Sequence, residues 1–221
     1  MYKINDQVVP RHSFFENIPQ LEDECKKCWK YFLNPRNKSV KSLDVQMGKN
    51  FEEKLGLFFE KKNFIFKKGD NKNKKYPDNA ICSLNGDILA YYEVKYHQAP
   101  FVKAYNFNPG RECYEGSVTL DYAKVKKQLE IIKNEIDVPV YYVHWIDFPC
   151  IKGIFYQSAA DTELFLNKGI EYDRKEREGD FRNNKKVGYT KKFYPSLYSM
   201  KTFEDLCMEL SNLRDLNDSN K

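Results

Sequence analysis

Apolar residues recur at helical spacing in three segments of the chain. Residues 20–33 and 48–62 each place apolar side chains three and four positions apart, which predicts two helices. A third helix is predicted from Thr119, as its cap, to about residue 136. Its apolar stripe is the most regular in the chain and consists of Val125, Leu129, Ile132 and Ile136.

Shorter apolar runs predict strands. Residues 138–148 are mostly apolar and β-branched or aromatic, as in a buried strand, and residues 151–157 predict another strand. A hairpin is predicted with strands over 79–84 and 87–96. Residues 64–67 form either a short strand or the exit of the preceding helix.

The last part of the chain combines two predicted helices with a polar segment. A short helix is predicted over 161–167 and a closing helix over 202–213, with Thr202 as its cap and Asp205 in its first turn. Residues 171–195 are polar, basic and without a clear period, so they are expected to form an irregular basic loop.

The hairpin contains the most informative residues of the chain. Asn85-Gly86 is typical of a two-residue turn, which fixes the register of the strands around it. Leu84 is then expected to face Asp87, and counting on along both strands brings Asp78 opposite Glu93. Two facing carboxylates, with Cβ atoms about 5 Å apart, repel each other. A divalent cation between them would make the interaction favourable.

An amine shares the face of Glu93. Lys95 follows Glu93 by two positions, so both side chains point the same way while Val94 points to the other face. Pro77-Asp78 at the start of one strand and Glu93-Val94-Lys95 on the next resemble the signature of the PD-(D/E)XK nuclease superfamily.

The resemblance implies an α/β fold. The predicted order of helix, strand, strand, helix and strand matches the restriction-endonuclease-like core, a central mixed β-sheet flanked by helices. The match covers roughly residues 48–148, with N- and C-terminal elaborations on either side. The whole chain of 221 residues is expected to form a single nuclease domain.

The resemblance also implies the chemistry. Asp78, Glu93 and the backbone carbonyl of Val94 would bind Mg²⁺, with Mn²⁺ able to substitute, and Lys95 would hold the attacking water or help to deprotonate it. The stretch from Gly48 to Leu55 looks like the Gly-x-x-Phe-Glu-x-x-Leu pattern of Mrr-like and resolvase-like members. That pattern points to Glu52 as a third catalytic acid, with an ordinary solvated acid as the alternative and Glu53 as its rival if the helix phase differs by one.

Basic segments suggest contact with a polyanion. The net charge of +5 is modest, but residues 61–75 hold seven lysines and one acid, and residues 181–193 hold five basic residues and no acid. Such segments suit phosphate contacts, although a solvated face or a structural insertion gives the same pattern. The candidate DNA-binding residues are Lys124, Gln128, His97, Gln98, Asn106, Arg111, Arg182, Lys185 and Lys186. For Lys124 and Gln128 a solvated helix face is the more ordinary interpretation.

Other chemistries find little support. Cys25 and Cys28 have the spacing of half a zinc site but also fit an apolar helix stripe, so core packing is expected. His144 lies in an apolar strand and is expected to be a hydrogen-bonded core residue. No phosphate loop and no Ser-His-Asp pattern occurs. No apolar run is long enough for a membrane span, and the N-terminus lacks a signal peptide, so a cytoplasmic protein is expected.

These observations lead to one functional hypothesis with two alternatives. The leading one is a Mg²⁺-dependent DNA endonuclease of the type II restriction kind, acting on double-stranded DNA as a homodimer. The first alternative is a structure-specific nuclease of recombination or repair, like a Holliday junction resolvase or an Mrr-like enzyme. The second is a nucleic-acid-binding module that keeps the fold without activity, which intact Asp78, Glu93 and Lys95 argue against.

Overall fold

The computed structural model describes residues 2–4, 7–9, 41–69, 76–97, 117–147, 152–168, 171–173, 181–188, 191–195 and 197–219. Several predictions from the sequence lie outside these residues. They are the helix over 20–33 with its cysteine pair and the candidate DNA-binding residues Gln98, Asn106 and Arg111.

The described helices are α1 (Lys41–Glu60), α2 (Tyr122–Glu135), α3 (Ala159–Asn167) and α4 (Phe203–Ser219). The strands of the central sheet are β3 (Ile65–Lys68), β4 (Asn79–Cys82), β5 (Ile88–His97), β7 (Val140–Asp147), β8 (Lys152–Ser158) and β13 (Lys201–Thr202). The remaining strands are β1 (Tyr2–Ile4), β2 (Gln7–Val9), β6 (Leu120–Asp121), β9 (Glu171–Asp173), β10 (Phe181–Arg182), β11 (Lys185–Lys186) and β12 (Lys191–Phe193).

The central sheet is mixed and has six strands in the order β13-β8-β7-β5-β4-β3. β5 and β7 run parallel, and the other neighbours in this sheet are antiparallel. A parallel pair needs a crossover between its strands, and α2 forms part of that crossover. α2 therefore belongs to the connection between the two parallel strands, one of which, β5, contains Glu93 and Lys95.

Helices cover both faces of the sheet. On one face, α1 and α4 pack against a core that includes Leu55, Phe59, Tyr92, Val143 and Leu206. On the other face, α2 and α3 contribute to a second core, whose members are Leu120, Val125, Leu129, Tyr142, Leu166 and Phe193. The predicted α/β class, with a mixed sheet between helices, is confirmed. No described helix is long and apolar enough to cross a membrane.

The turn between β4 and β5 differs from the predicted one. The backbone N–H of Ser83 donates to the carbonyl of Asp87 at 2.9 Å, and that of Gly86 donates to the carbonyl of Ser83 at 3.0 Å. The loop thus has three residues, and the expected pairing of Leu84 with Asp87 is wrong. Gly86 at its end has φ of 91°, a conformation that glycine adopts readily and other residues rarely do.

A β-bulge restores the register that the longer loop shifts. Next to the turn, Cys82 pairs with Ile88, whereas the following pair is Ile81 with Ala90, so Leu89 is the extra residue on β5. Beyond the bulge the pairing is the one that a two-residue turn would have produced, ending at Asn79 with Tyr92. The two irregularities cancel, and Asp78 still comes one position past that pair, opposite Glu93.

Several predicted boundaries also change. α1 begins at Lys41 and not near Gly48, because Gly48 lies within the helix in open space, where it weakens the helix without ending it. The cap position of α2 is Asp121 and not Thr119. The segment 171–195, expected to be irregular, contains four short strands, of which β9 and β12 join β6 in a three-stranded sheet.

The predicted start of the closing helix is confirmed. The backbone N–H of Asp205 donates to Thr202 Oγ1 at 3.2 Å, and the backbone N–H of Thr202 donates to Asp205 Oδ2 at 2.8 Å. This reciprocal pair is a capping box. Ser158 and Asp161 form a second one at the start of α3.

Replacing Gly86 with alanine should destabilise the protein by about 1 kcal/mol, the cost of a left-handed backbone for a residue with a Cβ atom. Space is not the cause, because the nearest atom to the new Cβ would be Lys67 Nζ at 3.9 Å. Urea unfolding measures the change. Leu84→Ala, an exposed position in the same loop, is the control. Equal stability of the two variants would contradict this account of the turn.

Candidate active site

A buried carboxylate forms the centre of the candidate site. Glu93 lies in the middle of β5 and is 1% exposed. Its Oε1 accepts from Lys95 Nζ at 2.7 Å and also from Lys124 Nζ. Its Oε2 accepts from the Gln128 amide at 3.0 Å. Both oxygens are therefore held by side chains from the same strand and from α2.

Asp78 is the second acid of the site. It follows from the register that Asp78 faces Glu93, and Lys124 Nζ lies 3.9 Å from Asp78 Oδ2. Burial, the charge of Glu93 and a hydrogen bond with Glu93 together raise the pKa of Asp78 to about 7. The nearby Lys124 and Lys95 oppose this shift. Asp78 is thus the acid of the pair that takes up a proton.

The charge of Glu93 is maintained by its partners. Burial is the largest single influence on Glu93 and raises its pKa, but the charges of Lys95 and Lys124 and the hydrogen bonds with Asp78 and Lys124 together lower it by more, so the pKa is below its usual range. Conversely, burial is the largest single influence on Lys95 and lowers its pKa, but the charge of Glu93, the hydrogen bond with Glu93 and the charge of Asp78 together raise the pKa by more. Both groups are accordingly charged at neutral pH, as expected when a buried ion is fully paired.

Gln128 is a structural partner of Glu93 and does not lie on a solvated helix face. It is 1% exposed, and its carbonyl oxygen accepts from the Tyr142 hydroxyl at 3.1 Å. Since the same amide donates to Glu93, the Tyr142 hydroxyl fixes which way the amide points. The sequence-based preference for a solvated face at Lys124 and Gln128 is wrong, because both side chains turn toward an acid on the neighbouring strand.

Glu52 on α1 approaches the site from a different element. It is half-buried, and its pKa is raised by burial and by the charge of Glu93, while Lys95, Lys68 and Lys124 lower it. Its rival Glu53 is exposed and lies 3.9 Å from Lys68. The phase of α1 is set by Phe51, whose ring stacks on Tyr96 with centroids 3.8 Å apart. The structure therefore turns Glu52, and not Glu53, toward Glu93.

A chain of polar side chains continues from the site along the same face of the sheet. His97 Nε2 lies 3.0 Å from His144 Nδ1, and Gln157 Nε2 lies 3.5 Å from His144 Nε2. Loss of hydration, with a contribution from Lys95, lowers the pKa of His97 to about 3, and burial lowers the pKa of His144 as well. Both rings are neutral at physiological pH. His144 is a buried, hydrogen-bonded residue, as predicted.

Lys192 is a residue near the site that sequence reasoning did not single out. The pairing of β12 with β6 places it opposite Asp121, with which it forms an ion pair. Burial and the charge of Lys95 lower the pKa of Lys192 to about 8, so it lies within electrostatic range of the central lysine. In the sequence it is one of five basic residues between positions 181 and 193, and no local pattern distinguishes it from the other four.

The remaining predicted site residues lie on the other face of β5 or in a separate hairpin. Val94 is buried on the opposite face of β5, so the site can use only its backbone. Arg182, Lys185 and Lys186 form the exposed hairpin of β10 and β11, whose turn at Asn183 and Asn184 has positive φ at both residues. This hairpin belongs to the connection between β9 and β12, and β12 carries Lys192.

Within the described part of the chain, no three His, Cys, Asp or Glu side chains converge to form a metal site of their own. The site instead consists of two facing carboxylates and a third nearby, surrounded by ammonium groups.

The elements around the site follow a known order. α1, β3, β4, β5, α2 and β7, with β5 and β7 parallel at the centre of a mixed sheet, make up a restriction-endonuclease-like core. Pro77-Asp78 precedes β4 and Glu93-Val94-Lys95 lies within β5. The resemblance to PD-(D/E)XK nucleases therefore extends from the motif to the fold.

No family model matches the chain, and no curated protein matches it. Among solved structures, Hjc, a Holliday junction resolvase from the archaeal hyperthermophile Archaeoglobus fulgidus, is similar over 73% of this chain and 95% of its own, with 12% identity and a TM-score of 0.42. D212, a nuclease from a fusselovirus, is similar over 81% of this chain and 98% of its own, with 12% identity and a TM-score of 0.43. At these scores neither likeness carries an argument about function.

The raised pKa of Asp78 predicts a pH dependence of stability in metal-free buffer. The folded protein keeps a proton that the unfolded chain releases near pH 4, so stability present below that pH is lost as the pH rises through about 7. Asp78→Asn cannot lose this proton, and its unfolding free energy should fall less between pH 5 and 8. Urea unfolding with EDTA tests this, with exposed Asp137→Asn as the control. Parallel profiles for the wild type and Asp78→Asn would refute it.

Proposed function

We propose that this chain is a Mg²⁺-dependent endonuclease that hydrolyses phosphodiester bonds in DNA. The observation that carries the proposal is the pair of facing carboxylates, Asp78 and Glu93, with Lys95 bound to Glu93, at one place on the sheet of a restriction-endonuclease-like core. A phosphodiester substrate brings negative charge, and the ammonium groups of Lys95 and Lys124 provide the opposite charge beside the acids.

The donor set fits a hard divalent cation. Mg²⁺ binds through one or two carboxylates together with water and substrate phosphate, so Asp78 and Glu93 suffice, with the Val94 carbonyl as a further ligand implied by the resemblance. Burial, and next to it the charge of Glu93, raise the pKa of Asp78, and a cation bound to both acids would offset the second of these effects. When bound, Mg²⁺ or Mn²⁺ supplies polarisation of the scissile phosphate and lowers the pKa of an attacking water.

Lys95 acts as a charged group in this proposal. Its raised pKa keeps the ammonium protonated, which favours holding a phosphate oxygen or the attacking water over removing a proton from it. Gln128 and Tyr142 position the Glu93 carboxylate, since they fix one of its oxygens through a buried hydrogen-bond chain. Glu52 is the third acid, close enough for the charge of Glu93 to affect its pKa.

Substrate contacts are proposed for the exposed hairpin of β10 and β11. Arg182, Lys185 and Lys186 are exposed and carry positive charge there, and Phe181 is exposed beside them. The connection that contains the hairpin ends in β12, where Lys192 lies near Lys95. DNA that contacts both the hairpin and Lys192 would be held near Lys95 and the acids.

The expected oligomeric state follows from the number of active sites that cleavage of two DNA strands requires. Symmetric cleavage of both strands, in duplex DNA by a restriction-type enzyme or in a four-way junction by a resolvase, requires two active sites, and a homodimer supplies them. Light scattering of the purified protein is expected to give twice the chain mass.

Lys95→Met and Asp78→Asn should each lower DNA cleavage by at least about 100-fold, because each removes a charge that acts on the reacting phosphate or holds the metal. Plasmid nicking with Mg²⁺, and with EDTA as the blank, provides the measurement. Lys133→Met, an exposed lysine at the far end of α2, should cut normally. Normal cutting by both site variants would remove Asp78 and Lys95 from the site.

Assays of the same protein preparation on different DNA substrates distinguish a site-specific endonuclease, a resolvase-like enzyme and an inactive binding module. Discrete fragments from long duplex DNA would identify a site-specific endonuclease, and paired nicks in a four-way junction would identify a resolvase-like enzyme. Binding to either DNA without cleavage in Mg²⁺ or Mn²⁺ would support the inactive module and end the nuclease proposal.

Removing the charge of the hairpin should weaken DNA binding. In the triple variant Arg182→Ala, Lys185→Ala, Lys186→Ala, the salt dependence of binding should fall by roughly one unit for each phosphate that the hairpin no longer neutralises. Binding to uncut DNA in EDTA, titrated at several salt concentrations, measures this slope. A control with the same reduction in charge replaces three exposed lysines outside the hairpin: Lys133, Lys152 and Lys168. Equal slopes for the two triple variants would rule out a special role for the hairpin.

A further inference from the structure

Lys124 is a positively charged neighbour of both facing acids. Its ammonium group contacts Glu93 Oε1 and lies 3.9 Å from Asp78 Oδ2, so it is near both carboxylates at once. Two facing carboxylates attract a cation to the space between them, since it turns their mutual repulsion into attraction. In this chain a side chain of the protein itself supplies that cation.

We propose that the Lys124 ammonium is an internal counter-ion of Asp78 and Glu93 that competes with the divalent metal and moves away from both acids when the metal binds. The inference rests on the proposed function, because it concerns the ion that the same carboxylates would hold. It assigns Lys124 a role in controlling metal affinity, which differs from a simple contact with DNA.

The other partners of Glu93 are less able to move away. Gln128 is buried and its amide is fixed by the Tyr142 hydroxyl. Lys95 is two residues from Glu93 on the same strand, so its ammonium stays on that face of the sheet. Lys124 comes from a different element, the first turn of α2, and its flexible four-carbon stem can turn its ammonium away from the strand.

The displaced ammonium has a second use. It remains tethered to the first turn of α2, beside the acids, where an incoming phosphodiester offers it a new anionic partner. Metal binding and DNA binding then favour each other. The metal displaces the Lys124 ammonium from the acids, and a DNA phosphate forms a new ion pair with the displaced ammonium. Such coupling is reciprocal, so DNA should tighten metal binding by the same factor that metal tightens DNA binding.

The test measures Mn²⁺ binding directly, without cleavage. Free Mn²⁺ is quantified by electron paramagnetic resonance during titration of the wild type, Lys124→Met and Lys127→Met, with Asp78→Asn to identify binding at this site. Lys124→Met should bind Mn²⁺ at least about fivefold more tightly than the wild type, in the usual range of coupling between sites. Lys127→Met removes an equal charge from an exposed position on the same helix and should bind like the wild type.

Two further measurements separate competition from a general effect on folding. In EDTA, Lys124→Met should unfold at lower urea than the wild type, because Asp78 and Glu93 no longer share a cation, and saturating Mn²⁺ should remove that difference. Lys124→Arg keeps the positive charge and should keep the weaker metal affinity of the wild type.

The outcomes distinguish the inference from the function on which it rests. Unchanged or weaker Mn²⁺ affinity in Lys124→Met overturns the internal counter-ion, while cleavage by the wild type keeps the nuclease. Absence of Mn²⁺ binding to the wild type, together with absence of cleavage, overturns both.

Discussion

The structure of this site depends on the burial of one charged carboxylate. Glu93 is almost fully removed from water at the centre of the sheet, and a buried ion is stable only when charge and hydrogen bonds replace its hydration. Lys95, Lys124 and Gln128 provide that replacement from β5 and α2. The same contacts hold α2 against the sheet, so the packing of the fold and the charge distribution of the site are consequences of one requirement.

The hairpin shows how a functional register survives irregular structure. A longer turn at Gly86 shifts the two strands by one residue, and the extra residue Leu89 shifts them back before the acids are reached. Because neighbouring side chains on a strand alternate between faces, an uncorrected shift would have brought Asp78 opposite a residue of the other face. The bulge is thus as important for the site as the residues that carry the charge.

Asp78, the second acid, makes the site suited to binding a cation. Asp78 and Glu93 face each other in a partly dry environment, so only one is readily ionised without a cation between them. The surrounding lysines come from three elements: Lys95 from β5, Lys124 from α2 and Lys192 from β12. A site of this kind is held together by opposite charges, and a metal ion or a phosphate would enter it by exchanging partners with them.

Sequence patterns were sufficient for the α/β class, most of the described helices and strands, Thr202 as the cap of the closing helix, and the facing positions of Asp78 and Glu93. These follow from local rules: apolar period, turn residues and the alternation of a strand. The predicted length of the turn was wrong, because a β-bulge leaves no distinct pattern in the sequence. The predicted start of α1 was wrong, because a glycine inside a helix looks the same as a glycine at its end. Only the tertiary structure turned Lys124, Gln128 and Lys192 toward the site. The helical period shows which residues share a face of a helix. It does not show that a polar residue beside the apolar stripe contacts a buried acid that is distant in the chain, because that contact depends on how the helix packs.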